Sequence, residues 1–411
     1  MEQARLRELA GNFLVPMISG AELDANATAS SGREGRTAFD GPCTIRFKAE
    51  RGDNYRLALR RSQPFAQRYG KTVSEIHVVR AFVNVVDGMK EGLDSAYGAD
   101  LRTAFPRRVV VGALCRGIKN EDAVLGVIDQ MAMWAGQQYE GKPIPAAVGF
   151  MQNDTQGSVS FRDFCDEKFS AVVSNGFDTL VACNFGGQVI GHETLTAPAS
   201  PLPFAPYRLA AVADWAGDGR LAIVLNRVGE ILVFQDKQLI FARRAGQWHF
   251  LTHEPLITQM RLPQMDRVRR AVYETCLDAS LARSGACIGV VASYLSYGWE
   301  RVLGTASDNL SIPRSTKSQV VSLMVGNRRF QELDRRLRAE LVALDGATLI
   351  DHAGVVLAAG AIVKIQTGSS EGGRLAAAKE LSKRGLGIKV SQDGRISGFY
   401  LGREEPIFTV M

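Results

Sequence analysis

The sequence predicts an α/β protein in which an N-terminal α/β segment precedes two tandem domains, each a mixed sheet flanked by helices. Three observations lead there. Apolar residues recur at three- and four-residue steps in several segments, the spacing of one buried helix face. Short apolar runs bounded by glycine turns lie between them and read as strands. The order of elements over residues 122–245 then returns over 265–402, which points to an internal repeat.

At 411 residues, 46% of them hydrophobic, the chain exceeds one ordinary core and can bury several. The expected domains are 1–120, 121–255 and 262–411. The 49 Lys plus Arg outweigh the 43 Asp plus Glu by six charges, which suits an anionic partner without requiring one. None of the six cysteines stands in a C-x-x-C pair, excluding a zinc knuckle and a thioredoxin-type motif. The run Phe13-Leu14-Val15-Pro16-Met17-Ile18 is too short for a signal core or a membrane span. These features predict reduced, mostly buried thiols in a cytoplasmic protein with no membrane association.

Residues 1–120 offer a Gly/Ser loop at Asn26–Gly35, a strand at Thr44–Lys48, a helix near Val73–Val86 and a buried strand at Val109–Leu114. The loop lacks the Lys-Ser/Thr ending of a P-loop. From Asp122, the residues Val124, Val127, Ile128, Met131 and Trp134 mark a helix face, and Ile144–Phe150 a strand. Phe161, Phe164, Cys165, Phe169 and Val172 stripe a second helix. Strands at Leu180–Cys183 and Gln188–Ile190 follow, then a Pro-rich loop and a helix opening at Tyr207-Arg208-Leu209. Strands at Ala222–Leu225 and Glu230–Phe234 turn through Gly229.

Downstream, Met265, Val268, Val272, Cys276 and Ala279 stripe a helix before the strand Ala286–Ala292. Phe330, Leu333, Leu337, Leu341 and Leu344 stripe another. Strands at Thr348–Asp351 and Val355–Ala359 turn at Gly354. Arg374-Leu375-Ala376-Ala377-Ala378 opens a helix, and Asp393-Gly394 joins strands Ile388–Ser391 and Ile396–Tyr400 as a hairpin.

A nucleotide site needs a carboxylate for a metal, small residues where backbone meets ligand, and donors aimed at phosphate. Asp345 supplies the first, and Gly346 and Ala347, before Thr348, permit close approach. Gly372-Gly373-Arg374 precede a helix, where free amides, the helix dipole and a guanidinium converge. Ser369 and Ser370 add hydroxyls. The five histidines, His77, His192, His249, His253 and His352, form no ligand spacing, although His352 beside Asp351 lies in a turn from which it could reach the site. Arg335, Arg336 and Arg338, with Arg267, Arg269 and Arg270, form an arginine stripe that reads chiefly as the solvated face of amphipathic helices and otherwise as a nucleic-acid contact.

These motifs resemble the diadenylate cyclase family, whose signatures are Asp-Gly-Ala and, about thirty residues on, Gly-Thr-Arg-His-Arg-Ala-Ala, then a strand ending Val-Ser-Glu. Here they stand as Asp345-Gly346-Ala347, Gly372-Gly373-Arg374-Leu375-Ala376-Ala377-Ala378 and Val390-Ser391-Gln392, over roughly residues 268–402. The resemblance implies a nucleotide site of Asp345, Gly346, Ala347, Thr348, Ser370, Gly372, Gly373, Arg374 and Ser391. Asp345 would be its metal ligand and, in an active enzyme, its catalytic residue, with Mg or Mn accompanying the nucleotide. Leu375 replaces the family's metal-binding histidine, and Ala376 its second arginine. The upstream copy keeps Asp178 and Arg208 as a second cleft.

A chain that keeps the fold and loses these groups resembles the nucleotide sensors predicted in prokaryotic conflict systems. The expected function is therefore to bind a nucleotide or cyclic dinucleotide and signal to an effector protein, through a homo-oligomer or a pair of domains within one chain. The alternatives are an active diadenylate cyclase and a nucleic-acid-binding module.

Overall fold

The computed structural model describes residues 3–24, 36–48, 57–66, 72–93, 98–116, 120–153, 158–260, 266–365 and 372–411. The Gly/Ser loop at 26–35, Met265, Ser369 and Ser370 lie outside them. The chain divides into two compact units, Met1–Pro255 and Leu256–Met411, each an assembly of helices on a mixed or antiparallel sheet.

In the first unit, α1 (Gln3–Leu9) leads to a four-stranded antiparallel sheet of β1 (Glu22–Asp24), β2 (Thr37–Phe39), β3 (Thr44–Phe47) and β4 (Leu57–Arg60), ordered β1-β4-β3-β2. Helices α2 (Glu75–Leu93) and α3 (Gly98–Leu114) follow. The predicted strand at Val109–Leu114 is the end of α3. Val109, Val110 and Val111 are all buried, because α3 packs against α2 on one side and against the following helix on another. A helix covered nearly all round shows the unbroken apolar run of a central strand, and periodicity cannot separate the two. One hydrophobic cluster runs from Leu6 to Phe250, so this segment shares its core with the sheet that follows.

That second sheet is built after α4 (Glu121–Trp134) and a small hairpin of β5 (Gln138–Tyr139) and β6 (Lys142–Pro143). Its strands are β7 (Ala146–Met151), β8 (Val159–Ser160), β9 (Thr179–Asn184), β10 (Gln188–Thr194), β11 (Leu221–Leu225), β12 (Ile231–Gln235), β13 (Gln238–Arg244) and β14 (Gln247–Phe250). Helices α5 (Phe161–Asp166) and α6 (Ala210–Trp215) interrupt the series. The Phe161–Val172 stripe is broken after α5: a 3₁₀ turn takes over at Lys168, leaving Phe169 and Val172 exposed. The strand order is β14-β13-β12-β11-β7-β9-β10-β8.

After α7 (His253–Gln259), the second unit runs α8 (Asp266–Ala282), β15 (Ala286–Val291), α9 (Thr316–Val325), α10 (Arg335–Ala343), β16 (Ala347–Asp351), β17 (Val356–Ala361), α11 (Gly373–Ser382), β18 (Gly385–Val390), β19 (Ile396–Tyr400) and β20 (Phe408–Val410). The Phe330–Leu344 stripe is a 3₁₀ turn followed by α10, whose start is set by Asp334 accepting from the Arg336 amide at 2.8 Å. The sheet order is β17-β16-β15-β18-β19-β20.

This order is that of β10-β9-β7-β11-β12-β13 in the first unit, and the directions agree pair by pair. β7 is parallel to β9 as β15 is to β16, and every other matching pair is antiparallel. The registers agree as well. Val148 lies opposite Val181 and Ile223, and Ile288 opposite Thr348 and Ile388. Counted from these anchors, Asp178 precedes Val181 by three residues, as Asp345 precedes Thr348. Gly229 follows Ile223 by six, as Gly394 follows Ile388, and both glycines turn with positive φ, 78° and 87°.

Candidate functional site

The predicted residues of the second unit meet at one end of its sheet. β15 and β16 are parallel and both begin there, while the antiparallel β17 and β18 end there: Ala286 is opposite Val390, and Ala347 opposite Ala361. Asp345, Gly346 and Ala347 thus stand beside Gly285 and Ala286, which stand beside Val390 and Ser391. Asp345 is exposed and makes no hydrogen bond or ion pair among the described residues.

Gly346 is required by the backbone. Its φ is 110°, and a Cβ there would come within 2.6 Å of the Gly360 carbonyl carbon and 2.8 Å of the Ala361 nitrogen. Ala347 is buried behind it.

Arg374 reaches this end from the first turn of α11. A Cβ on Gly285 would lie 2.6 Å from Arg374 Nη1 and 3.1 Å from its Cζ, so the guanidinium occupies the space that this glycine leaves open. It also faces Cys287, whose thiol is pushed up to about 12 by burial while Arg374 pulls the other way. Arg374 is half-buried, yet it makes no hydrogen bond or ion pair among the described residues. At the same place Gly372, exposed and with φ 92°, stands at the N-cap of α11, and it offers no side chain to cap the first turn. Gly373 is exposed next to it, and the Ser391 hydroxyl is without a partner among the described residues.

One expected member, Thr348, is placed otherwise, and His352 and Leu375 lie apart from the site. Thr348 is buried and its hydroxyl donates to Leu341 O at 3.0 Å, which removes it from the donors that could face a ligand. His352 follows the last residue of β16, at the opposite end of the strand from Asp345, and so cannot reach this site. Leu375, where the family has its histidine, packs against the core cluster containing Cys287 and Ala378. Among the described residues no three His, Cys, Asp or Glu side chains group as metal ligands. A single exposed carboxylate with no second protein ligand beside it does not fit a resident metal.

In the arginine stripe Arg267 and Arg336 are exposed, but Arg335 and Arg338 are not. Arg335 is buried and makes a bidentate pair with Asp278 at 2.6 and 3.0 Å, and Arg338 pairs with Glu274 at 2.9 Å. These side chains fasten α10 to α8 and are neither a solvated face nor a nucleic-acid surface. The charge pattern concealed this, because their acidic partners are about sixty residues away in sequence.

The equivalent end of the first unit is filled by its own chain. Ser174 Oγ accepts from the Ala147 amide at 2.9 Å and donates to its carbonyl at 3.2 Å. A Cβ on Gly176 would lie 3.2 Å from Ala146 O and 3.4 Å from Leu225 O, the strand ends that match Ala286 and Val390. Asp178 closes an Asx loop, accepting from Asn175 Nδ2 at 2.5 Å while its amide donates to Asn175 Oδ1. Arg208, in the turn before α6, donates from Nε to the Tyr207 hydroxyl at 3.0 Å. Asp178 holds the register place expected of a second cleft, but both it and Arg208 have local partners.

Sequence reasoning missed Gly285, Gly360, Asp308 and Lys317, all at the open end. None belongs to a motif. The only signal was the glycine before the strand Ala286–Ala292.

No protein-family model matches the chain, and no curated protein matches it. Among solved structures, a double mutant of DacA from Staphylococcus aureus is similar over 34% of this chain and 86% of that one, with 18% identity and a TM-score of 0.21.

Proposed function

We propose that the second unit binds a nucleotide or cyclic dinucleotide, with phosphate at Arg374 and the first turn of α11, and that the chain is a sensor signalling to a partner in a prokaryotic defence or stress system. The observation that carries this reading is Arg374: a half-buried residue whose guanidinium has no partner among the described residues, set over a glycine beside an uncapped helix start. A phosphate here would accept from both the guanidinium and the helix amides. The motif resemblance supplies the nucleotide class. We further read the two matching sheets as tandem copies of one cyclase-like domain, supported by their common strand order and register.

Thermal shift and calorimetry across ATP, GTP, AMP and cyclic dinucleotides test the reading, since a ligand stabilises the state that binds it. At least one should raise the melting temperature, with one equivalent bound per chain, because the matching end of the first unit is occupied by Gly176 and its neighbours. Binding of none would end the proposal. Two equivalents would show that the first unit opens.

Loss of the imidazole at Leu375 and of the cation at Ala376 removes metal positioning and charge stabilisation together. The expected result on incubation with ATP and Mg²⁺ or Mn²⁺ is no cyclic dinucleotide by chromatography. Product that disappears in Asp345→Asn would replace the sensor with an enzyme.

A further inference from the structure

Lys317, on α9 and outside every motif, is held at the β17 side of the same sheet end. Its Nζ lies 2.6 Å from Asp308 Oδ1 and donates to Gly360 O at 2.8 Å. Asp308 is buried, and its other oxygen accepts from the Ile362 amide at 3.3 Å, so the carboxylate is itself anchored to the end of β17. A Cβ on Gly360 would sit 3.2 Å from Asp345 O, which puts the ammonium near the Asp345–Gly346 turn. An ammonium carries three N–H donors. Two are committed, and the side chain keeps 43% of its surface exposed. The strand order separates Gly360, to which Lys317 donates, from Gly285, under Arg374, by two strand spacings, about 10 Å.

We propose that Lys317 is a second phosphate donor of this site, and that the ligand is a nucleoside polyphosphate bound between Arg374 and Lys317 without a divalent metal held by the protein. The proposal rests on the nucleotide reading above and narrows it. A phosphate at Arg374 alone leaves Lys317 untouched, whereas a polyphosphate can extend along the strand ends past Asp345 to the β17 side. Lys317 then supplies a phosphate donor to a chain that has lost the one at Ala376. Because Asp308 offsets its charge, Lys317 contributes a directed N–H rather than a long-range field. Its effect therefore belongs at the lower end of charge-assisted hydrogen bonds.

The test is calorimetry on the full chain in EDTA with AMP, ADP and ATP. The unmodified protein should bind ATP more tightly than AMP. Lys317→Met should weaken ATP by about tenfold while leaving AMP unchanged, and Lys317→Arg should retain most of the ATP preference. Lys317→Met leaves a buried Asp308 without its cation, so the double variant Lys317→Met/Asp308→Asn is measured beside it, with melting temperature as the control for folding. An unchanged preference for ATP in the folded double variant overturns the role of Lys317. Loss of ATP binding in EDTA, with binding restored by Mg²⁺, overturns the metal-free site. If the unmodified protein binds no nucleotide in either condition, the reading of the site itself has failed and this proposal with it.

Discussion

Arg374→Ala is expected to weaken nucleotide binding by about ten- to a hundredfold, the range of one lost charge-assisted contact. The side chain makes no hydrogen bond or ion pair among the described residues, so its removal should leave the melting temperature of the free protein nearly unchanged. Arg374→Lys should fall between, since an ammonium keeps the charge but loses the planar fork that pairs with two phosphate oxygens. Equal affinities for the original and Arg374→Ala proteins, measured by calorimetry on folded samples, would place the ligand elsewhere.

The second large effect is on stability. Arg335→Ala should cost about 3–5 kcal/mol, because it leaves the Asp278 carboxylate, fully buried, without the guanidinium that pairs with it. Arg336, its exposed neighbour, should tolerate alanine with little change. Pairing Arg335→Met with Asp278→Leu should recover most of the loss, since a buried ion pair replaced by apolar groups of similar volume is often neutral. Denaturant unfolding of the three variants separates these cases. If Arg335→Ala and Arg336→Ala unfold at the same urea concentration, the Asp278 pair contributes nothing.

Features governed by neighbours in sequence were legible before the structure. The glycine turns at Gly229, Gly354 and Gly394, the helix start at Arg374 and most strands of both sheets follow from local pattern and turn chemistry. The common order of the two halves was legible too. Their register was not, because register belongs to pairing between strands. Val109–Leu114 was misread since burial on all sides erases periodicity, and α9 went unnoticed because its exposed face mixes Val320, Leu323 and Met324 with Lys317 and Gln319, which blurs the apolar stripe.

The candidate site divides in the same way. Asp345, Gly346, Gly372 and Arg374 could be found from motifs. Thr348 and Leu375 could be assigned to packing only once Leu341 O and the core beside Cys287 were located. Lys317 depends on Asp308 and Gly360, partners brought together solely by the fold.

The self-filled strand ends of the first unit give the molecule an internal reference for mutational tolerance. Asp178 and Asp345 share one address in two copies of a topology, but the first serves its own loop and the second faces outward. Substitutions at Asp178 or Arg208 should therefore be limited by folding alone, whereas on the proposed reading those at Asp345 or Arg374 should be limited by ligand recognition as well. A saturation screen scored separately for abundance and for ligand response would record this division of labour, with matched positions diverging in one readout and converging in the other.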